Sequence, residues 1–269
     1  MRFEKQGIKL AAISYDSEAI LRDFAGRRKI ELPLLADPDS KIIRAYRLLN
    51  PEAVGAYKGM ARPGYFFIDA QGVIREKFFE AKYRSRHSGN NIISKLFPEL
   101  GGETLGEEAG STVEAPHLQV AAEQSDRTAI PGSRITLIAE VRLPRDMHVY
   151  APGTKGYKTV NLVIDCPPEL ELTPAIYPSA KVLYMPAIKE HVPVFEETFR
   201  IRQDLKVSSA YEFSESLGPD GKTFAITGRL AYQACDSKTC FLPASVPIQW
   251  QVHVLPLDRQ RSPENIRHK

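Results

Sequence analysis

The chain is poor in cysteine: three occur in 269 residues, and the first is Cys166. So few exclude a disulfide-dense scaffold, and their spacing is not that of a usual zinc site. Long apolar runs are also absent. No stretch approaches the ~18 residues that a spanning helix needs, so no membrane span is expected. Charge of one sign is not in excess either. Thirty-six basic residues face 33 acidic ones for a net +3, which gives no concentrated basic face and no nucleic-acid partner. The N-terminus, MRFEKQGIKLAAIS, carries charges without an apolar core and small-residue cleavage site, so no signal peptide is visible. GxSxG, P-loop, HExxH and strand-linked GxGxxG patterns are missing, which leaves serine-hydrolase, nucleotide and metalloprotease readings unsupported.

What is present is an ordinary globular composition, 43% hydrophobic and 26% charged, in a chain long enough for two domains. Residues 1–100 alternate strand and helix signals. Lys9–Tyr15 is a short apolar run of the buried-strand kind, Asp16-Ser17-Glu18 offers an N-cap, and Ile20, Leu21 and Phe24 follow at helical spacing. Leu32–Ala36 is a second apolar piece, and Asp37-Pro38-Asp39 reads as a turn and cap before Ile42, Ile43, Tyr46 and Leu49. Pro63 reads as a strand-start proline. Tyr65–Ile68 and Val73–Phe79 pair through a hairpin turn at Asp69–Gly72, and Ser88–Phe97 is a last helix with Ile92, Ile93 and Leu96 on one face. This is an α/β module.

Residues 101–115, glycine-rich and acidic, read as a linker. From 116 to 256 short alternating stretches recur between Pro and Gly: Ile135–Val141, Val160–Ile164, Thr198–Ile201, Thr223–Ala234 and Val246–Leu255. They predict an all-β sandwich. The charged tail 257–269 is expected to be disordered.

The chemistry concentrates in YQACDSKTCFLP, which holds Cys235 and Cys240. A strand, Phe224–Ala231, leads in, Val246–Val254 leads out, and Asp-Ser-Lys-Thr between the cysteines is turn chemistry. Residues flanking such a hairpin loop face each other at Cα separations of about 4.5–5.5 Å, within the range a disulfide accepts. A bridge across so short a loop restricts the unfolded chain little, which favours a redox pair over a structural staple without removing the staple. Lys238 beside Cys240 favours a thiolate and Asp236 beside Cys235 opposes one. Zinc would need two further ligands from scattered histidines, so no metal and no bound cofactor are expected.

YQACDSKTCFLP resembles the active-site hairpin of the N-terminal periplasmic domain of the thiol–disulfide interchange protein DsbD. Met147-His148-Val149-Tyr150 and Tyr177-Pro178 extend the likeness over residues 116–255. The resemblance implies an immunoglobulin-like fold, a membrane electron donor, and thioredoxin-like or other disulfide-bearing protein partners. It implies that Cys240 attacks the partner disulfide and Cys235 resolves it. It also implies a shielding cap loop, for which Leu183-Tyr184-Met185-Pro186 is the nearest match, and a periplasmic or otherwise exported setting. The loop between the cysteines is shorter here than in the best-known members.

Residues 1–100 resemble the alkyl hydroperoxide reductase/thiol-specific antioxidant family, a peroxiredoxin-like thioredoxin fold, through AAISYDS, LPLLADPDSKIIRAYRL and RPGYFFIDAQGVIREKF. By that resemblance Pro63 sits where thioredoxin folds carry a cis-proline. The family's reactive cysteine lies on a strand–helix unit preceding Lys9–Tyr15, so the resemblance implies an N-terminally incomplete α/β domain, with a central strand missing between Lys9–Tyr15 and Tyr65–Ile68. A complete version would be a peroxide-reducing antioxidant. Arg62, without that nucleophile, reads as a surface residue. Cys166 reads as a small buried hydrophobe, and His148 and His191 as satisfied polar residues at strand ends. A non-catalytic binding module stapled by Cys235–Cys240 stays open as a third reading.

Overall fold

A computed structural model describes residues 2–98, 111–185 and 189–267. The chain divides into two compact units, 1–86 with 258–269, and 87–257.

The first unit runs α1 (Arg2–Lys5), β1 (Ala12–Ser14), α2 (Glu18–Arg28), β2 (Leu34–Ala36), α3 (Lys41–Ala45), β3 (Gly64–Ile68) and β4 (Ile74–Phe79). β1 and β2 pair in parallel, Ala12 with Leu34 through Ser14 with Ala36, with α2 as the crossover a parallel pair requires. The Ser17 hydroxyl caps α2 by accepting from the Ile20 amide, and Arg27 and Arg28 fall at its negative end. Asp37 caps α3: its carboxylate accepts the amides of Lys41 and Ile43, both at 2.9 Å. β3 and β4 form an antiparallel hairpin. Its turn is closed by the Asp69 carboxylate, which accepts the Gln71 and Val73 amides, and by Gly72 at φ +79°. The two ladders remain separate sheets among the described residues.

Pro63 corrects one expectation. Among the described residues no cis peptide is present, and Pro63 sits immediately before β3, as its unaided reading had it. The tail, expected to be disordered, has side-chain partners in this unit. Asp258 forms an ion pair with Arg28, and the Ser262 hydroxyl accepts from Arg27 at 3.4 Å. The basic last turn of α2 thus gives the polar tail partners that its composition alone does not reveal.

After β5 (Arg86–His87), the second unit contains α4 (Gly89–Leu96), β6 (Thr112–Ala115), β7 (Leu118–Gln124), β8 (Thr128–Ala129), β9 (Ser133–Arg142), β10 (His148–Tyr150), β11 (Asn161–Asp165) and β12 (Leu170–Leu172). It continues with β13 (Lys181–Met185), β14 (Glu190–Glu196), β15 (Thr198–Val207), α5 (Tyr211–Ser216), β16 (Lys222–Tyr232), β17 (Ala234–Cys235) and β18 (Ala244–Val254). One sheet is ordered β12-β15-β9-β7-β6, a second β11-β16-β18-β8, and a third β13-β14-β10-β17. Alternation does the sorting. Ile135, Leu137, Ala139 and Val141 of β9 enter the same apolar core as Phe224, Ile226 and Leu230 of β16 and Val246, Ile248, Trp250 and Val252 of β18.

On the opposite face of β9, Thr136, Ile138 and Glu140 are buried as well, two of the three polar. Helix α4 covers part of this face. Asn91 donates to Thr136 Oγ1 at 2.7 Å and to Asp204 Oδ1 at 3.0 Å, and Lys95 pairs with Asp204 at 2.8 Å. The helix expected to close the N-terminal module therefore packs within the second unit. Its Ile92, Ile93, Leu96 pattern predicts a buried face but not the surface that buries it. The expected linker changes too. Thr112–Ala115 is a strand paired with β7, while residues 101–110 of that segment lie outside the described residues.

Candidate active site

The third sheet builds the site. On β10, Val149 points into the main core, so His148 and Tyr150 fall on the other face. On β17, Ala234 faces the core and Cys235 the opposite side. Register then places Cys235 directly across from His148. Cys235 and Cys240 form a bridge pair and a disulfide, with Cα atoms 4.1 Å apart, slightly closer than plain strand spacing.

The intervening loop is held by its own first residue. The Asp236 carboxylate accepts the amides of Lys238 at 2.7 Å and Thr239 at 2.6 Å, and the Asp236 amide donates to the Thr239 carbonyl. These amides hold the Asp236 carboxyl below the usual carboxylate range. Beyond the bridge, the Phe241 amide donates to the Ala234 carbonyl and its ring stacks on His117 at 3.8 Å. Leu242 next to it is 89% exposed.

The two sulfurs sit in different surroundings. Cys235 is 1% exposed, packed with Tyr150, Val192 and Val194, while Cys240 is exposed. The Tyr150 hydroxyl lies 3.5 Å from Cys240 Sγ and 3.7 Å from Cys235 Sγ. Its ring rests on Tyr157 at 4.3 Å, and the Tyr157 hydroxyl donates to Glu190 at 2.9 Å. Leu183 and Met185 pack against the same cluster. In the segment expected as a cap loop they belong to strand β13, which pairs with β14, and Pro186 lies outside the described residues.

His148 departs from its expected role as a satisfied residue. It is buried to 4% exposure, edge-on to Tyr150 at 5.5 Å, and among the described residues its Nε2 has no hydrogen-bond partner. Burial pushes its pKa down, opposed by the charges of Glu196 and Asp236. His191 lies on β14 opposite Tyr184 and contacts that ring rather than the cysteine cluster. Cys166 packs against the main core and donates to the Leu170 carbonyl at 3.2 Å; burial pushes its thiol pKa up. Arg62 is exposed. Among the described residues, no group of three His, Cys, Asp or Glu side chains is placed to hold a metal.

Sequence reasoning reached the cysteines through their spacing and missed the Tyr150 hydroxyl. The available signal was the i, i+2 placement of His148 and Tyr150 on one strand.

Residues 1–77 match the AhpC/TSA family. Over 81 residues the chain is 38% identical to peroxiredoxin TSA1 of Saccharomyces cerevisiae, covering 28% of this chain and 39% of that protein's length. The first unit is accordingly thioredoxin-like. Among solved structures, the N-terminal periplasmic domain of ScsB from Proteus mirabilis aligns with a TM-score of 0.38 and 14% identity, covering 54% of this chain and 51% of that one. The reduced DsbD N-terminal domain of Neisseria meningitidis aligns with a TM-score of 0.26 and 14% identity, covering 44% and 80%. The GAE domain of GGA2p from Saccharomyces cerevisiae aligns at 0.31 and 8% identity, covering 53% and 97%.

Proposed function

We propose that the chain is a thiol–disulfide oxidoreductase that exchanges electrons with protein disulfides through Cys235 and Cys240. The observation that carries this reading is the asymmetry of one disulfide: its first cysteine is buried and its second is exposed. In the reduced protein the Cys240 thiolate attacks a partner disulfide, forming a mixed disulfide and expelling one partner thiolate. The Cys235 thiolate then attacks Cys240 Sγ, restoring the Cys235–Cys240 bond and releasing the second partner thiolate. Two electrons pass to the partner, and its two thiolates take up two protons, one given up by Cys235 before its attack and one from solvent. Another thiol donor, a membrane protein in this proposal, re-reduces the pair. Partners are thioredoxin-like or similar disulfide-bearing proteins, the setting is exported and oxidising, and the second unit is read as immunoglobulin-like.

The AhpC/TSA match favours a second reading, peroxide reduction. Residues 1–77 contain no cysteine, so that chemistry would need a thiol from outside them, with the Cys235–Cys240 pair as its reductant.

The test is equilibration of the full chain against a glutathione couple, followed by turnover with a thioredoxin-like disulfide substrate. The pair should cycle, Cys240→Ser should abolish reduction, and Cys235→Ser should trap a mixed disulfide. A pair that never exchanges, or a Cys240→Ser protein that reduces substrate normally, overturns the proposal.

A further inference from the structure

We infer that the Tyr150 hydroxyl stabilises the negative charge on Cys240 when the pair is open. This deepens the redox reading above and rests on it. The Tyr150 hydroxyl lies within hydrogen-bond reach of both sulfurs, 3.5 Å from Cys240 and 3.7 Å from Cys235. In the closed state neither sulfur bears a hydrogen, so the tyrosine must be the donor. Opening the bridge with two electrons and one proton yields one thiol and one thiolate. The buried sulfur keeps the proton, because desolvation disfavours charge on it. Cys235 S–H then donates to Tyr150 Oη, while Tyr150 O–H donates to the exposed Cys240 thiolate. Every donor and acceptor in that chain is used once, and the charge rests on the sulfur that a partner can reach.

The surroundings suit this role. Burial pushes the Tyr150 pKa up, so the hydroxyl keeps its proton wherever a thiolate forms. Tyr157 from the segment before β11 holds the ring, itself bonded to Glu190 of β14, and His148 of β10 stands edge-on to it. Among the described residues, the other charges around the pair include Asp236 and Lys238 on the hairpin loop, Glu190 on the Tyr157 hydroxyl and Glu196 on β14, opposite His148. Asp236 is turned back onto its own loop amides, which leaves the Tyr150 hydroxyl as the neutral donor that touches both sulfurs.

The test is Tyr150→Phe in the full chain, reduced with dithiol and alkylated with limiting iodoacetamide from pH 5 to 10, with the modified cysteine mapped by mass spectrometry. The expected result is preferential alkylation of Cys240 in the parent. In the variant the Cys240 midpoint rises by about one pH unit and the rate below it falls about tenfold, as loss of a hydrogen bond to a charged sulfur implies. Phe keeps the ring on Tyr157, so a packing role alone would leave the midpoint unmoved. An unchanged midpoint in a variant that still cycles with glutathione overturns the Tyr150 inference alone. A parent pair that never opens overturns the redox reading beneath it.

Discussion

Replacing Asn91 by alanine tests which unit owns helix α4. Asn91 is fully buried, at 0% exposure. It makes three side-chain hydrogen bonds: two donated, to Thr136 Oγ1 and the Asp204 carboxylate, and one accepted from His87 Nδ1 at 2.6 Å. One is charge-assisted and two are neutral. Their removal leaves Thr136 and Asp204 buried with fewer partners, although Lys95 and Arg134 still hold the carboxylate. Neutral bonds contribute about 0.5–1.5 kcal/mol each and charged ones somewhat more, and the shorter side chain is cheaper to order; a net loss of about 2–4 kcal/mol results. The chain's single tryptophan, Trp250, lies in the core of the second unit, so its fluorescence reports that unit alone. With a urea slope of about 2 kcal/mol/M, the midpoint of the tryptophan transition should fall by about 1–2 M. A variant whose transition overlays that of the parent would refute the placement of α4 in this unit.

Two further outcomes follow from the site. His148 is buried, and desolvation pushes its pKa below the ordinary histidine value. The unfolded chain therefore binds a proton that the folded one resists, and stability should fall as pH drops from neutrality through the ordinary histidine range. A His148→Gln protein, measured oxidised, should lose less between pH 7 and pH 5 than the parent; parallel curves would sink this reading. Asp236→Ala strips the cap from the Lys238 and Thr239 amides, at a cost of about 1 kcal/mol in analogy to helix caps. Amide exchange at those two positions should accelerate while the β16–β18 ladder keeps its protection. Unaltered exchange in the loop would show that the carboxylate does not hold it.

Local chemistry was the legible part of this chain. Ser17 and Asp37 cap their helices, Asp69 closes a hairpin, and Cys235 meets Cys240 across four residues, because each depends only on neighbours in sequence. Burial against a distant partner was not legible. Ile92 and Ile93 announce an apolar face, yet Thr136 and Asp204, which receive the helix, lie more than forty residues on. Thr112–Ala115 hides in an acidic, glycine-rich stretch, because an edge strand with one polar face carries little hydrophobic signal. The site split the same way. The cysteines are neighbours in sequence, whereas Tyr150 reaches them from 85 and 90 positions away, through a register that only the sheet defines.

The brevity of the cysteine loop has one more consequence. The bridge spans five positions, and the backbone on either side is fastened by other means: the Asp236 turn, the Phe241–Ala234 bond and eleven paired positions between β16 and β18. Making or breaking the sulfur bond therefore leaves the frame standing. The hairpin behaves as a latch mounted on a fixed door-post, presenting the same surface whether the bridge is closed or open.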